Sequence, residues 1–160
     1  GTYQKLQPFF KGEQDKYHAG EHLGLHHLGD WLLASFICYD LRFPELFRQA
    51  THAGAELITV IASWPSARTG HWVTLLQARA IENQAWVIGV NRCGRDPQYQ
   101  YDGRSLIVDP HGKIVADAGA GEGLISATAD LKAVRHYRRE FPVLKDMRCA
   151  IHLPRHGVVP

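Results

Sequence analysis

The stretch "ASFICYDLRFPE", residues 34–45, joins three signals in a short span. Apolar residues from Trp31 to Ile37 read as a strand, Cys38 ends it, and Pro44 opens a helix where its missing N–H is tolerated. Charged residues surround the cysteine: Asp40, Arg42 and Glu45. From position alone Cys38 has two readings. It is a small packed residue, as most cysteines of reducing compartments are. Or it is a nucleophile on a turn, where free backbone N–H groups and the positive end of a helix favour a thiolate.

The same alternation continues outward. "EHLGLHHL" and "WLLASFI" flank Gly29-Asp30 and read as a hairpin. "ELFRQATHAGA" is a short helix closing at Gly54. "ELITVIAS" and "AWVIGVN" are apolar, β-branched runs that predict strands buried on both faces. Between them a helix is expected from about Gly70 to Gln84, with Trp72, Leu75, Leu76, Arg79 and Ile81 on its inner face. Residues 92–104 read as a loop, "SLIVD" and "KIVAD" as a second hairpin, "GLISATAD" as a further strand, and "LKAVRHYRREF" as a helix stopped by Pro142. Strands alternating with helices, with hairpins between, predict a mixed sheet covered by helices on one side. "GTYQK" reads as the tail of a strand, which implies that part of the domain precedes Gly1. Residues 1–160 are expected to form a single domain, with 143–160 as an extended C-terminal arm.

Composition narrows the class. The 160 residues are enough to bury about 70% of the unfolded surface. Eighteen basic against sixteen acidic residues, mixed along the chain, lack the basic stripe of a nucleic-acid protein. No apolar run approaches the ~20 residues of a membrane span, and the N-terminus lacks a signal-peptide layout. Three widely spaced cysteines make no disulfide framework and point to a reducing compartment, hence the cytoplasm. His26-His27 has no zinc-like spacing with another cluster, so no metal is expected. "GAGEG" at 119–123 lacks the context of a phosphate loop and reads as a turn. Cys93 has no partner pattern, and Arg79 with Glu82 suits a local helical pair.

Several further stretches, taken together, identify a family. "YQK" (3–5), "EQDKYHAGE" (13–21), "FICYDLRFPE" (36–45), "SWPSARTGHW" (63–72), "LLQARAIENQAWVIGVNRCG" (75–94) and "YDGRSLIVDPHGKIVA" (101–116) resemble the nitrilase, or carbon–nitrogen hydrolase, superfamily. The wording of "CYDLRFPE" and "ARAIENQAWV" is similar to its omega-amidase branch; nitrilases proper place Trp and Glu after the cysteine. The resemblance implies a four-layer α-β-β-α sandwich with mixed sheets, of which this chain is the C-terminal portion. It also implies a cysteine nucleophile at Cys38, an oxyanion-stabilising lysine at Lys5, and a supporting carboxylate at Glu13, eight positions later. The Tyr39 backbone N–H is the implied second oxyanion donor, and Lys5 is expected to favour the thiolate.

The family's general-base Glu is expected upstream of Gly1. The implied reaction is hydrolysis of a small amide to a carboxylate and ammonia through a thioester, on the omega-amide of a dicarboxylic (2-oxo acid) monoamide. Alternatives are an N-carbamoyl or deaminated-glutathione amidase of the same superfamily, or a fragment inactive for want of the base. No cofactor is implied, and the expected partners are the small-molecule amide and a second copy in a homodimer or higher homo-oligomer, without nucleic acid or membrane. "KLQPFF" departs from the His-Leu that often follows the lysine, so a different loop rim is expected. Trp64 is equally a pocket wall or a packing residue. Arg42 is a candidate for a substrate carboxylate, although its neighbours Asp40 and Glu45 favour a structural ion pair.

Overall fold

The computed structural model describes residues 1–148. β1 (Gly24–Leu28) and β2 (Trp31–Ile37) pair antiparallel across a two-residue turn in which Gly29 takes φ +58°. That value suits the tight hairpin turn and is free of steric cost only for glycine. β2, β3 (Leu57–Ala62) and β4 (Trp86–Asn91) then run parallel, joined by crossovers through α1 (Pro44–His52) and α2 (Thr69–Asn83). β5 (Cys93–Arg95) and β6 (Gln100–Asp102) form a separate two-stranded ribbon. β7 (Leu106–Val108) returns antiparallel to β4 and pairs with β8 (Ile114–Asp117), giving the sheet order β1-β2-β3-β4-β7-β8.

Both crossover helices pack on one face. Phe47 and Ala50 from α1, with Trp72, Leu76 and Ala80 from α2, enclose Ala34, Phe36, Ile58, Val60, Val87, Leu106 and Val108 from the strands. The Phe36 and Phe47 rings stack at 4.0 Å. α2 lies so close to β4 that a Cβ on Gly89 would stand 2.4 Å from Leu76 Cδ1, so any larger residue there would displace Leu76. α3 (Leu131–Glu140) starts on the Asp130 side chain, which accepts from the Lys132 and Ala133 N–H groups. It is tied across the ends of the other elements by Arg138, which donates to the carbonyls of Ala55, Asn83 and Gln84.

The opposite sheet face is covered differently. Ile61 and Val90 are register partners there, 56% and 50% exposed, whereas Val60 beside Ile61 is fully buried. β3 and β4 are therefore not buried on both faces, and the described residues supply one helical layer and one sheet. Other expectations also change. Residues 1–5 are not a strand among the described residues; the Lys5 carbonyl accepts the Gly20 N–H of the loop instead of a ladder partner. The loop 92–104 holds the β5–β6 ribbon. Residues 123–130 pair with no strand among the described residues, and Leu124 is 95% exposed. Ile81 points outward, 53% exposed. The expected arm starts with turn bonds from Lys145 and Asp146 back to Pro142 and Val143, and its residues 149–160 lie outside the described ones. No helix among the described residues is long and apolar enough to cross a membrane.

Candidate active site

The three parallel strands end side by side, the usual place for a ligand in an α/β sheet. β2 passes directly into a 3₁₀ turn, Cys38–Arg42, and Cys38 makes the bend at φ +46°. A non-glycine residue in this region carries steric strain of the kind that collects at functional sites. Asp40 turns inward from the same bend, and its Oδ2 accepts the Ile37 N–H at 2.9 Å. From the other end, buried Arg79 of α2 donates to the Leu41 carbonyl at 2.7 Å. It also pairs with Glu82, as its spacing predicts.

At the end of β3 the Ser63 backbone N–H points to the Cys38 thiol. Asn91 closes β4 by accepting the Trp64 N–H at 2.7 Å while its amide donates to the Trp64 and Gly103 carbonyls. This buried amide fixes the ends of β3 and β4 against each other.

Lys5 and Glu13 reach the site from the long N-terminal loop. Lys5 Nζ and Glu13 Oε2 are 2.5 Å apart, and the same oxygen accepts the Phe9 N–H at 2.8 Å. Gly20 closes the loop by donating to the Lys5 carbonyl, where a Cβ would lie 2.4 Å from the Gln4 oxygen. Partial burial raises the Glu13 carboxyl, but the Lys5 and Phe9 hydrogen bonds and the Lys5 charge outweigh it and hold the group below its ordinary value. Glu13 is thus an anion that accepts bonds, unsuited to donating a proton near neutrality.

The Lys5 charge favours the thiolate as expected, but other effects on the thiol are larger. Burial pushes Cys38 upward; the Lys5 charge and the Ser63 N–H pull it down, while Glu13 and Asp40 push it up again. The result lies above the ordinary thiol value, so Lys5 does not by itself generate a thiolate. Desolvation is the larger effect.

These groups line a cavity of about 880 Å³. Its lining holds five cations (Lys5, Lys11, Arg42, Arg68 and Arg92) and one carboxylate, Glu13. Trp64 is almost fully buried and lies in the cavity lining, with its indole N–H bonded to the Arg68 carbonyl. The Arg42 guanidinium lies 4.6 Å over the Trp64 ring and, among the described residues, has no carboxylate within salt-bridge reach. The expected structural ion pair is therefore corrected: the turn buries Asp40 and sends Arg42 to the cavity. Tyr39 also lines the cavity, its ring against Phe9 and Phe43.

Sequence reasoning missed Ser63, Arg68, Asn91 and Arg92. Their signal was positional, since each follows or ends a strand that runs parallel to β2 or sits on the connection after it. Cys93 and His26-His27 are not in the lining. Among the described residues no cluster of three His, Cys, Asp or Glu has the geometry to hold a metal ion.

The family model described as carbon-nitrogen hydrolase matches residues 3–139. A 2-oxoglutaramate amidase of Bacillus subtilis is 40% identical over 147 residues, 91% of this chain and 57% of that protein. A human deaminated glutathione amidase is 44% identical over 115 residues, 70% of this chain and 35% of that protein. A CN-hydrolase superfamily protein from Xanthomonas campestris, solved with an arsenic adduct in its active site, superposes with a TM-score of 0.86 at 34% identity, covering 94% of this chain and 60% of that one. The chain spans about half the length of the curated relatives it matches.

Proposed function

The chain belongs to the carbon–nitrogen hydrolase family, and from that premise we propose that it carries the nucleophile of an amidase acting on the omega-amide of a small dicarboxylic (2-oxo acid) monoamide. Two observations support this choice: a thiol in a cavity lined by five cations and a single carboxylate, and 40% identity to a 2-oxoglutaramate amidase. Such a lining attracts an anionic substrate, and the carboxylate remote from the scissile amide supplies the anion.

In this reading the Cys38 sulfur attacks the amide carbon. The oxyanion that forms is met by the Lys5 ammonium and the Tyr39 backbone N–H. The carbon–nitrogen bond then breaks, the nitrogen leaves protonated as ammonia, and water hydrolyses the thioester to the carboxylate. A thiol held above its ordinary value needs a base to give up its proton. Glu13 is already committed to Lys5 and Phe9, so its role is to hold the ammonium. In this scheme the base is a further glutamate outside the groups described above. Arg42 on Trp64 is the proposed receiver of the remote carboxylate, since a guanidinium stacked on an indole and free of an acid partner is prepared for one.

The half-open sheet face at Ile61 and Val90 is where a second sheet would complete the sandwich, and we assign residues 1–160 to one such domain, acting in the cytoplasm as a homodimer. No cofactor enters the scheme. The test is ammonia release by the protein with its complete domain, over a panel of omega-monoamides, N-carbamoyl amino acids, deaminated glutathione and nitriles. We expect the omega-monoamides to lead by at least about tenfold in kcat/KM. Equal or lower rates on them would end this assignment. The 44% identity to a human deaminated glutathione amidase supports deaminated glutathione as the second reading.

A further inference from the structure

We propose that Asp40 is a positioning residue that braces Lys5 against Cys38, with the Tyr3 hydroxyl as its partner. The inference rests on the proposed roles of Lys5 and Cys38. Its basis is the distribution of donors around one buried carboxylate. Asp40 has no exposed surface. Its Oδ2 accepts from the Tyr3 hydroxyl at 2.8 Å and the Ile37 N–H at 2.9 Å, and its Oδ1 accepts from the Gln7 N–H at 2.8 Å. Tyr3 and Gln7 lie two residues before and two after Lys5, while Ile37 immediately precedes Cys38. A single carboxylate therefore ties both flanks of the lysine to the backbone that sets the thiol. Neither a strand ladder nor a helix spans this gap, and the Lys5 side chain itself bonds elsewhere, to Glu13.

The chemistry of the pair suits a permanent brace. Burial, the Asp40 hydrogen bond and the Asp40 charge raise the Tyr3 hydroxyl well above the ordinary tyrosine range, so it remains a donor. Burial also raises the Asp40 carboxyl, while the Ile37, Tyr3 and Gln7 donors and the Lys5 charge pull it back. A buried acid with three donors in place specifies one arrangement of the two segments, since any other leaves it unpaired.

The experiment reads the pH dependence of Cys38 alkylation by iodoacetamide in the intact protein, followed by peptide mass so that Cys93 and Cys149 are counted apart. The charged groups facing the thiol are Lys5, Glu13 and Asp40, and they give the test a sign. If Asp40 acted only as a charge, Asp40→Asn would remove a nearby anion and speed alkylation near neutrality. As a brace, its loss lets Lys5 drift, and alkylation slows by about tenfold with the profile moved to higher pH.

Tyr3→Phe keeps the Asp40 charge and the edge contact of this ring on Phe36, and it should slow alkylation by about threefold. It decides the matter should Asp40→Asn fail to fold. In amide turnover both variants should lower kcat with KM nearly unchanged. Val87→Ala, in the core and away from the site, gives the reference for simple destabilisation. The proposal fails if Asp40→Asn reacts as fast as the parent or faster, or if Tyr3→Phe leaves the profile where Val87→Ala does. A parent that alkylates at Cys38 but hydrolyses no amide would sink the amidase assignment while leaving this result readable.

Discussion

The two banks of the cavity are built by different means. On one, Cys38, Ser63 and Asn91 stand at the ends of strands whose ladders and helix-covered core hold them from below. On the other, Lys5 and Glu13 sit on a loop without regular structure, fixed by their own ion pair and by bonds to Asp40, Phe9 and Gly20. Position on the first bank is defended by packing, which yields only when the fold yields. On the second it depends on a few polar contacts of modest net strength. The proposed nucleophile and the proposed charge beside it therefore have unequal security, and each can be perturbed alone.

Cys38→Ala separates them most sharply. Amide turnover should fall by at least about four orders of magnitude, as for loss of a covalent nucleophile. The melting temperature should stay close to the parent's, since the bank itself remains. Turnover above about one per cent of the parent would rule out the thioester route.

Lys5→Met acts on the loop bank. Removing a charged oxyanion donor should lower kcat by about 10² to 10³, roughly 3–4 kcal/mol, with a smaller change in KM. A KM effect alone would instead make Lys5 a ground-state binding group.

The smallest effect is the response of the Lys5–Glu13 pair to acid. Glu13 is held below its ordinary value of 4.5, so its contribution to stability is full above that value and is lost as pH falls through the depressed one. Its side chain is 39% exposed, and solvent screening limits the contribution to no more than about 1 kcal/mol. Melting curves of the parent and Glu13→Gln should differ at neutral pH and converge in acid. A difference independent of pH would show that the pair's charge contributes nothing.

The same contrast governs what could be read from the sequence. β2, β3, β4, α1 and α3 carry period or punctuation that survives folding, and their bounds fall close to expectation. Cys38 stood out because it lies between two such elements, although its role as nucleophile rested on the resemblance. The loop bank was legible only through resemblance, because side-chain bonds between residues 3–20 and Asp40 leave no periodic trace. "GLISATAD" failed for the opposite reason: it has strand-like residues, but a strand also needs a neighbour with which to pair, and sequence does not supply one. β5 and β6, three residues each, are too short for alternation to register. Arg42 was misjudged because nearness in sequence to Asp40 and Glu45 says nothing about which way a 3₁₀ turn sends each side chain.

The backbone of Cys38 has a consequence for descent. At φ +46° this position suits glycine or asparagine better than any branched or thiol side chain. Drift toward stability alone would replace the cysteine. If Cys38 is the proposed nucleophile, reactivity is what holds a thiol at a bend that stability alone would give to glycine.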